Sequence, residues 1–314
     1  MIKRILEISS GPARLSIAYR QLVIEREGQE KTTVPCEDIG IVLVDNPAVI
    51  YTHAVFTALA DAGAAVVLCG ANHLPASLVL PLEGNAVQTE RYRAQFEASV
   101  PLRKKLWQAF VAAKIRIQAA VLLVATADDA GLPALAERVR SGDPENLEAQ
   151  AAQRYWPRLF GSDFRRRREG PPPNPQLNYG YVVFRAAAAR AICAAGLLPT
   201  VGIHHHNRSD AFCLADDMVE PYRPFVDWRV RHLADEKMPM QELDRETKAA
   251  LLSLFNETVP VGGQRTPLLL AFQLTAASLA RSFAEGEASL ALPEGLPAPP
   301  EENVNEPREG PVAA

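Results

Sequence analysis

Up to about residue 84, apolar and polar positions alternate in short runs that turns interrupt. Leu15, Ile17 and Tyr19, then Leu22 and Ile24, recur at every second residue, the period of half-buried strands. The segments ILEIS, TTVPCEDIGIVLVD, AAVVLCG (64–70) and ASLVLPL (76–82) complete a set of predicted strands. Between them THAVFTALADAG (52–63) predicts one helix, with Thr52 at its cap and Gly63 at its end. Beyond Gly84 and Asn85 the period lengthens. Leu102, Leu106, Phe110, Lys114 and Ile117 recur at spacings of 3 and 4, the stripe of an amphipathic helix. Similar patterns predict helices over 146–160, 179–195, 241–256 and 264–284. The expected class is therefore α+β: a small β-rich domain over 1–84, then an all-helical domain over 85–290. Residues 291–314 carry six Pro and five Glu with little to bury, and a disordered tail is expected there.

A chain of 314 residues suits two domains, each able to bury a core. Its formal charge of −4 argues against a nucleic-acid partner only if charge is spread evenly. Segment by segment the net charge is −3 over 1–84, +5 over 85–125, −4 over 126–150, +6 over 151–191, −4 over 192–290 and −4 over 291–314. Without the tail the body is neutral, with two basic stretches flanking an acidic one. Such blocks suit a polyanion held beside a carboxylate site, although solvated helix faces give similar counts. The four cysteines, Cys36, Cys69, Cys193 and Cys213, are too few and scattered for a disulfide framework and form no C-x-x-C pair. MIKRILEIS lacks the apolar core of a signal peptide, and the run AAVLLVATA (119–127) is too short for a bilayer. A cytoplasmic protein without a membrane span is expected. Internal repeats, a Gly-rich phosphate loop and a G-x-S-x-G elbow are all missing, so common nucleotide and hydrolase folds gain no support.

The densest polar cluster is GIHHHNRSDAFCLADDMVEPYRP (202–224). Neighbouring side chains diverge, so His204, His205 and His206 cannot all bind one ion; a polar surface loop is the alternative. Asp217 and Glu220 share a helix face, with Arg223 three residues on. Carboxylates with one imidazole suit Mg²⁺ or Mn²⁺ better than Zn²⁺, while Asp216 and Asp217 could also be plain exposed charges. Pro221 should start a kink or a new helix at this point. In SGDPENLEAQAAQRYW, Asp143 can cap a helix with Pro144 at its first position, whereas Glu148 lies beside a small-residue face with no such structural role, a solvated helix charge being the alternative. In SDFRRRREGPPPNPQLNYGY, Arg165, Arg166, Arg167 and Arg168 form a basic run that reads either as a flexible surface loop or as one that orders on DNA, and Tyr179 and Tyr181 could be core or could meet nucleic acid.

Taken in order, SGDPENLEAQAAQRYW, LNYGY, LPTVGIHHHN and LADDMVEPYRP resemble the CRISPR-associated adaptation integrases, the Cas-one family, in the form that accompanies type II (Cas-nine) systems. The resemblance spans roughly residues 2–285, including TTVPCEDIGIVLVDNPAVIYTHAVFTALADAGAAVVLCGANHLPASLVLPL and LWQAFVAAKIRIQA. It implies an N-terminal domain that dimerises and a helical catalytic domain binding Mg²⁺ or Mn²⁺ through Glu148, His205 and Glu220, where some relatives carry Asp in place of that last Glu. Asp217 would stand outside the ligands and Arg223 would face the reacting phosphate. The implied reaction joins the 3′-OH of a captured spacer to a repeat phosphodiester; with water as nucleophile the same site is a DNA endonuclease. The implied partners are double-stranded DNA, a second copy of the chain and a Cas-two dimer, with Cas-nine and other adaptation proteins as further candidates. Arg165, Arg166, Arg167, Arg168 and Tyr181 are the expected DNA contacts. A stand-alone nuclease for branched DNA and a non-catalytic DNA-binding scaffold are the competing readings.

Overall fold

The continuous apolar run IGIVLV has no polar face, so both of its sides must be covered. In the computed structural model, which describes residues 3–71, 73–236 and 243–297, it is the fully buried strand β5 (Ile39–Val44). This strand pairs in parallel with β1 (Arg4–Ile8) on one side and β7 (Ala65–Cys69) on the other. An antiparallel edge strand, β8 (Pro75–Val79), completes the order β1-β5-β7-β8. The alternating stretches form a second sheet, ordered β4-β3-β2-β6, from β2 (Arg14–Ala18), β3 (Gln21–Glu25), β4 (Thr32–Pro35) and β6 (Ile50–Tyr51). Val42, Val44 and Val66 face that sheet and helix α1 (His53–Asp61), whereas Ile41, Leu43, Ala65 and Val67 face the helical half. The two expected domains thus share the β5 sheet as a middle layer.

The helical half is built around α3 (Val100–Thr126), preceded by α2 (Gln88–Glu97). By length and composition alone α3 could cross a membrane, but α4 (Leu132–Arg138), α5 (Leu147–Phe160) and α8 (Arg223–Asp235) pack along it. Leu106, Phe110, Val111 and Ile115 are fully buried there, so α3 is the core helix of this half. Around it lie α6 (Asn174–Ala194), α7 (Cys213–Val219), α9 (Arg245–Ser253) and α10 (Leu268–Glu285).

Three expectations need correction. The second half is not all-helical, because β9 (Thr258–Val261) and β10 (Gln264–Pro267) form a hairpin around Gly262 and Gly263, both at positive φ. The tail does not leave the body at 291. Leu292 and Leu296 pack on the core, Glu294 N donates to the Pro260 carbonyl over 2.9 Å, and Thr275 Oγ1 donates to the Ala291 carbonyl over 2.6 Å. The rest of that expected tail, beyond 297, and the start of the 241–256 helix lie outside the described residues. Finally, Asp143 does cap α5, but not with Pro144 at the first position. Asp143 and Asn146 both adopt left-handed backbone, and the Asp143 carboxylate accepts from Leu147 N (2.8 Å) and Glu148 N (3.0 Å) across that turn.

Candidate active site

Three elements bring the charged groups together, each for a local reason. The Asp143 cap fixes the first turn of α5 and with it Glu148, whose carboxylate lies at the positive end of the helix dipole. Pro221 interrupts the helix, as expected, and the chain makes a 3₁₀ turn over Glu220–Tyr222 between α7 and α8. That turn aims Glu220 at α3. There Lys114 donates to Glu148 Oε1 over 2.6 Å and to Glu220 Oε2 over 2.5 Å. Arg223 Nε lies 3.0 Å from Glu220 Oε1 as an ion pair. Burial opposes ionisation of Glu220, and the charges of Arg223 and Lys114 overcome it, holding the carboxyl well below the usual range. Burial likewise opposes the Lys114 charge, and Glu220 and Glu148 override it.

His205 enters from the loop before α7. Asp217, with no side-chain exposure, accepts from Ile203 N (2.6 Å), His204 N (2.9 Å) and His205 N (3.1 Å), and binds His205 Nδ1 at 2.5 Å. Gly202 is required at this loop, because a Cβ would collide with the His205 carbonyl oxygen. The Asp217 bond raises the His205 pKa against the effect of burial and directs Nε2 away from Asp217, leaving that nitrogen as the one able to bind a ligand. Trp107 of α3 stacks on His204 with centroids 4.1 Å apart and meets His205 edge-on at 5.8 Å.

Glu148 and Glu220 therefore converge on one cation, Lys114, while His205 is held by Asp217 and its charge is a lesser influence that lowers the Glu220 pKa. Among the described residues no three His, Cys, Asp or Glu side chains gather at metal-binding distance. Asp216 and Asp217 are not plain exposed charges. Asp216 pairs with Arg185 at 2.5 Å, and Asp217 organises the histidine loop. Lys114 was legible only as a charge on an otherwise apolar stripe, and Trp107 carried no chemical signal at all.

The basic loop is already ordered. Asn174, buried at the start of α6, accepts from Arg166 (3.0 Å) and Arg167 N (2.9 Å) and donates to the carbonyls of Arg165 and Pro171. Arg165, Arg167 and Arg168 are exposed, and Arg166 is half-buried. Tyr181 is not a surface contact: it is buried, its hydroxyl donates to Asp227, and its ring lies under Arg166 (5.1 Å) and Arg223 (4.9 Å). Tyr155 donates to the same Asp227 over 3.1 Å, and burial pushes that carboxyl up to about 7.

The family profile described as CRISPR associated protein Cas1 matches residues 6–255. CRISPR-associated endonuclease Cas1 of Neisseria meningitidis serogroup C (strain 8013) is 37% identical over 305 residues, covering 95% of this chain and 98% of that protein. Among solved structures, a casposase bound to integration product superposes with a TM-score of 0.74 at 20% identity, covering 93% of each chain. A chain of a Cas6-RT-Cas1–Cas2 complex gives 0.72 at 16% identity, covering 91% of this chain and 35% of that one. The structural likenesses attest the fold. By sequence and fold together, the chain belongs to the CRISPR-associated Cas1 family.

Proposed function

We propose that the chain is a metal-dependent DNA integrase and endonuclease that inserts spacer DNA into a CRISPR array by attack of a 3′-OH on a repeat phosphodiester. The observation that carries this reading is the convergence of Glu148 and Glu220, from separate elements, on one cation; His205, whose Nδ1 is engaged by Asp217, adds charge that Glu220 feels. Two carboxylates and a neutral imidazole fit Mg²⁺ or Mn²⁺, and the Asp217–His205 bond is the kind of outer contact that orients a ligating histidine. Glu148, Glu220 and His205 Nε2 would hold the ion, which would polarise the phosphate and favour the ionised hydroxyl. The protein's own groups do the rest. Asp143 and Pro221 fix where the carboxylates point, and Asp217 fixes the imidazole tautomer. Arg223, on the ring of Tyr181 and paired with Glu220, is placed to neutralise charge growing on the phosphate. Because an oxygen of the DNA or of water is the nucleophile, no cysteine or serine is needed.

Arg165, Arg167 and Arg168 are exposed beside this half and suit backbone phosphates, with Arg166 acting as the anchor of their loop. By the family reading the chain works in the cytoplasm as a homodimer with a Cas2 dimer, in a type II system with Cas9. Strand-transfer assays with Mn²⁺ test the proposal. Joining that disappears in Glu148→Ala and in His205→Ala, with DNA binding kept, supports it. Cleavage without joining supports a stand-alone nuclease, and DNA binding with no chemistry supports a scaffold.

A further inference from the structure

Lys114 belongs to no ligand set, yet it occupies the centre of the site. It lies on the stripe of α3 that otherwise carries Leu106, Phe110 and Ile117, its side chain is only 13% exposed, and it spans Glu148 and Glu220. We propose that Lys114 is a resident counter-cation that gates metal loading: it balances the two carboxylates in the metal-free chain and makes entry of a divalent cation conditional on DNA phosphate. This inference rests on the reading of Glu148, His205 and Glu220 as metal ligands.

The reasoning is charge balance. Glu148, Glu220, Lys114 and Arg223 form one connected ion-pair group in which two negative and two positive charges cancel. A divalent ion entering that group leaves two positive charges in excess, at a place where Glu220 and Lys114 are desolvated and like charges repel strongly. Two backbone phosphates restore neutrality and give the displaced ammonium a new partner. Metal and DNA must then bind with positive coupling, and linkage makes that coupling reciprocal. Arg223 cannot supply the same control, because of the two carboxylates it pairs with Glu220, whereas Lys114 holds both.

The test is Mn²⁺ affinity by calorimetry, with and without a short DNA duplex bearing free 3′-OH ends, in the wild-type chain, Lys114→Met and Lys114→Arg. The wild type should bind Mn²⁺ about tenfold or more tightly with DNA than without it, within the usual range of such couplings. Lys114→Met, close in shape but uncharged, should bind Mn²⁺ about tenfold more tightly than wild type without DNA and lose most of the coupling. Lys114→Arg keeps the charge and should bind no more tightly than wild type. Lys114→Met should also melt below wild type in EDTA and gain more than wild type from Mn²⁺; a variant still unfolded at saturating Mn²⁺ overturns the proposal. An unchanged or weaker Mn²⁺ affinity in Lys114→Met, or an undiminished DNA coupling, overturns it too. Glu148→Gln separates the two readings. If it leaves wild-type Mn²⁺ binding intact, the metal site itself is refuted and the gate with it; if it abolishes binding while Lys114→Met binds no tighter, only the gate fails.

Discussion

Asp217 commits both carboxylate oxygens to the histidine loop, three backbone N–H groups and one ring nitrogen in all. Asp217→Asn should therefore let the His205 ring titrate at a lower pH than in the wild type, since the Asp217 bond is the largest cause of its raised pKa. Strand joining should fall by about 10–100-fold, the range for losing an outer partner of a metal ligand. An NMR titration of the ring and a joining assay check both, and an unmoved titration would exclude Asp217 as the orienting group. Asp227 tests burial instead. Its carboxyl is raised to about 7 in the folded chain, chiefly by desolvation, so the fold binds a proton there that the unfolded chain releases near pH 4. That contribution is full below pH 4 and is lost as pH rises towards 7, at roughly 1.4 kcal/mol per unit. Urea unfolding should show Asp227→Asn gaining on the wild type between about pH 4 and 7, and parallel curves over that range would contradict the assignment. At this scale the motifs singled out Glu148 and Glu220, which the fold brings to one cation, and His205, which it holds on Asp217. The sequence was silent where a role depends on packing: Lys114 reads as part of an apolar stripe, and Tyr181 as a free aromatic, until their partners from distant segments are in place.

Between elements, the break at Pro221 decides where Glu220 points. A continuous helix through 213–235 would rotate Glu220 relative to Asp217 and Arg223, because 3₁₀ and α turns advance by different angles. Pro221→Ala should keep the melting temperature within a few degrees yet weaken Mn²⁺ binding by about tenfold, one carboxylate ligand having moved. Wild-type affinity in that variant would show that the proline is not what aims the residue. Periodicity found α3, α5, α6 and α10 because each buries a continuous stripe. It missed the β9–β10 hairpin, although Val259 and Val261 before Gly262 and Gly263 carry the alternation and the Gly-Gly turn of one. The long helical runs on either side obscured it.

Over the whole molecule, the two halves are coupled through the β5 sheet, which explains why a boundary at residue 84 marks a change of pattern and not a gap between cores. The charge blocks also need refining. In the basic stretches Lys114 is taken up by the carboxylates, Arg185 by Asp210 and Asp216, and Arg190 is buried with Nε on the Gly63 carbonyl at 2.7 Å. The positive charge left for DNA is therefore smaller than the sequence count, and Arg167 and Arg168 weigh more within it. Replacing both with Ala should lower the salt slope of DNA binding by about two, with little effect on Mn²⁺ affinity; an unchanged slope would remove the loop from the DNA surface. The central claim is that Glu148, His205 and Glu220 share one divalent ion. The most direct measurement is anomalous diffraction from Mn²⁺-soaked crystals of the chain bound to DNA with 3′-OH ends. The account predicts a single strong peak within coordination distance of Glu148, Glu220 and His205 Nε2, with Lys114 withdrawn from between the carboxylates. No peak there, with Lys114 still bridging Glu148 and Glu220, would contradict it.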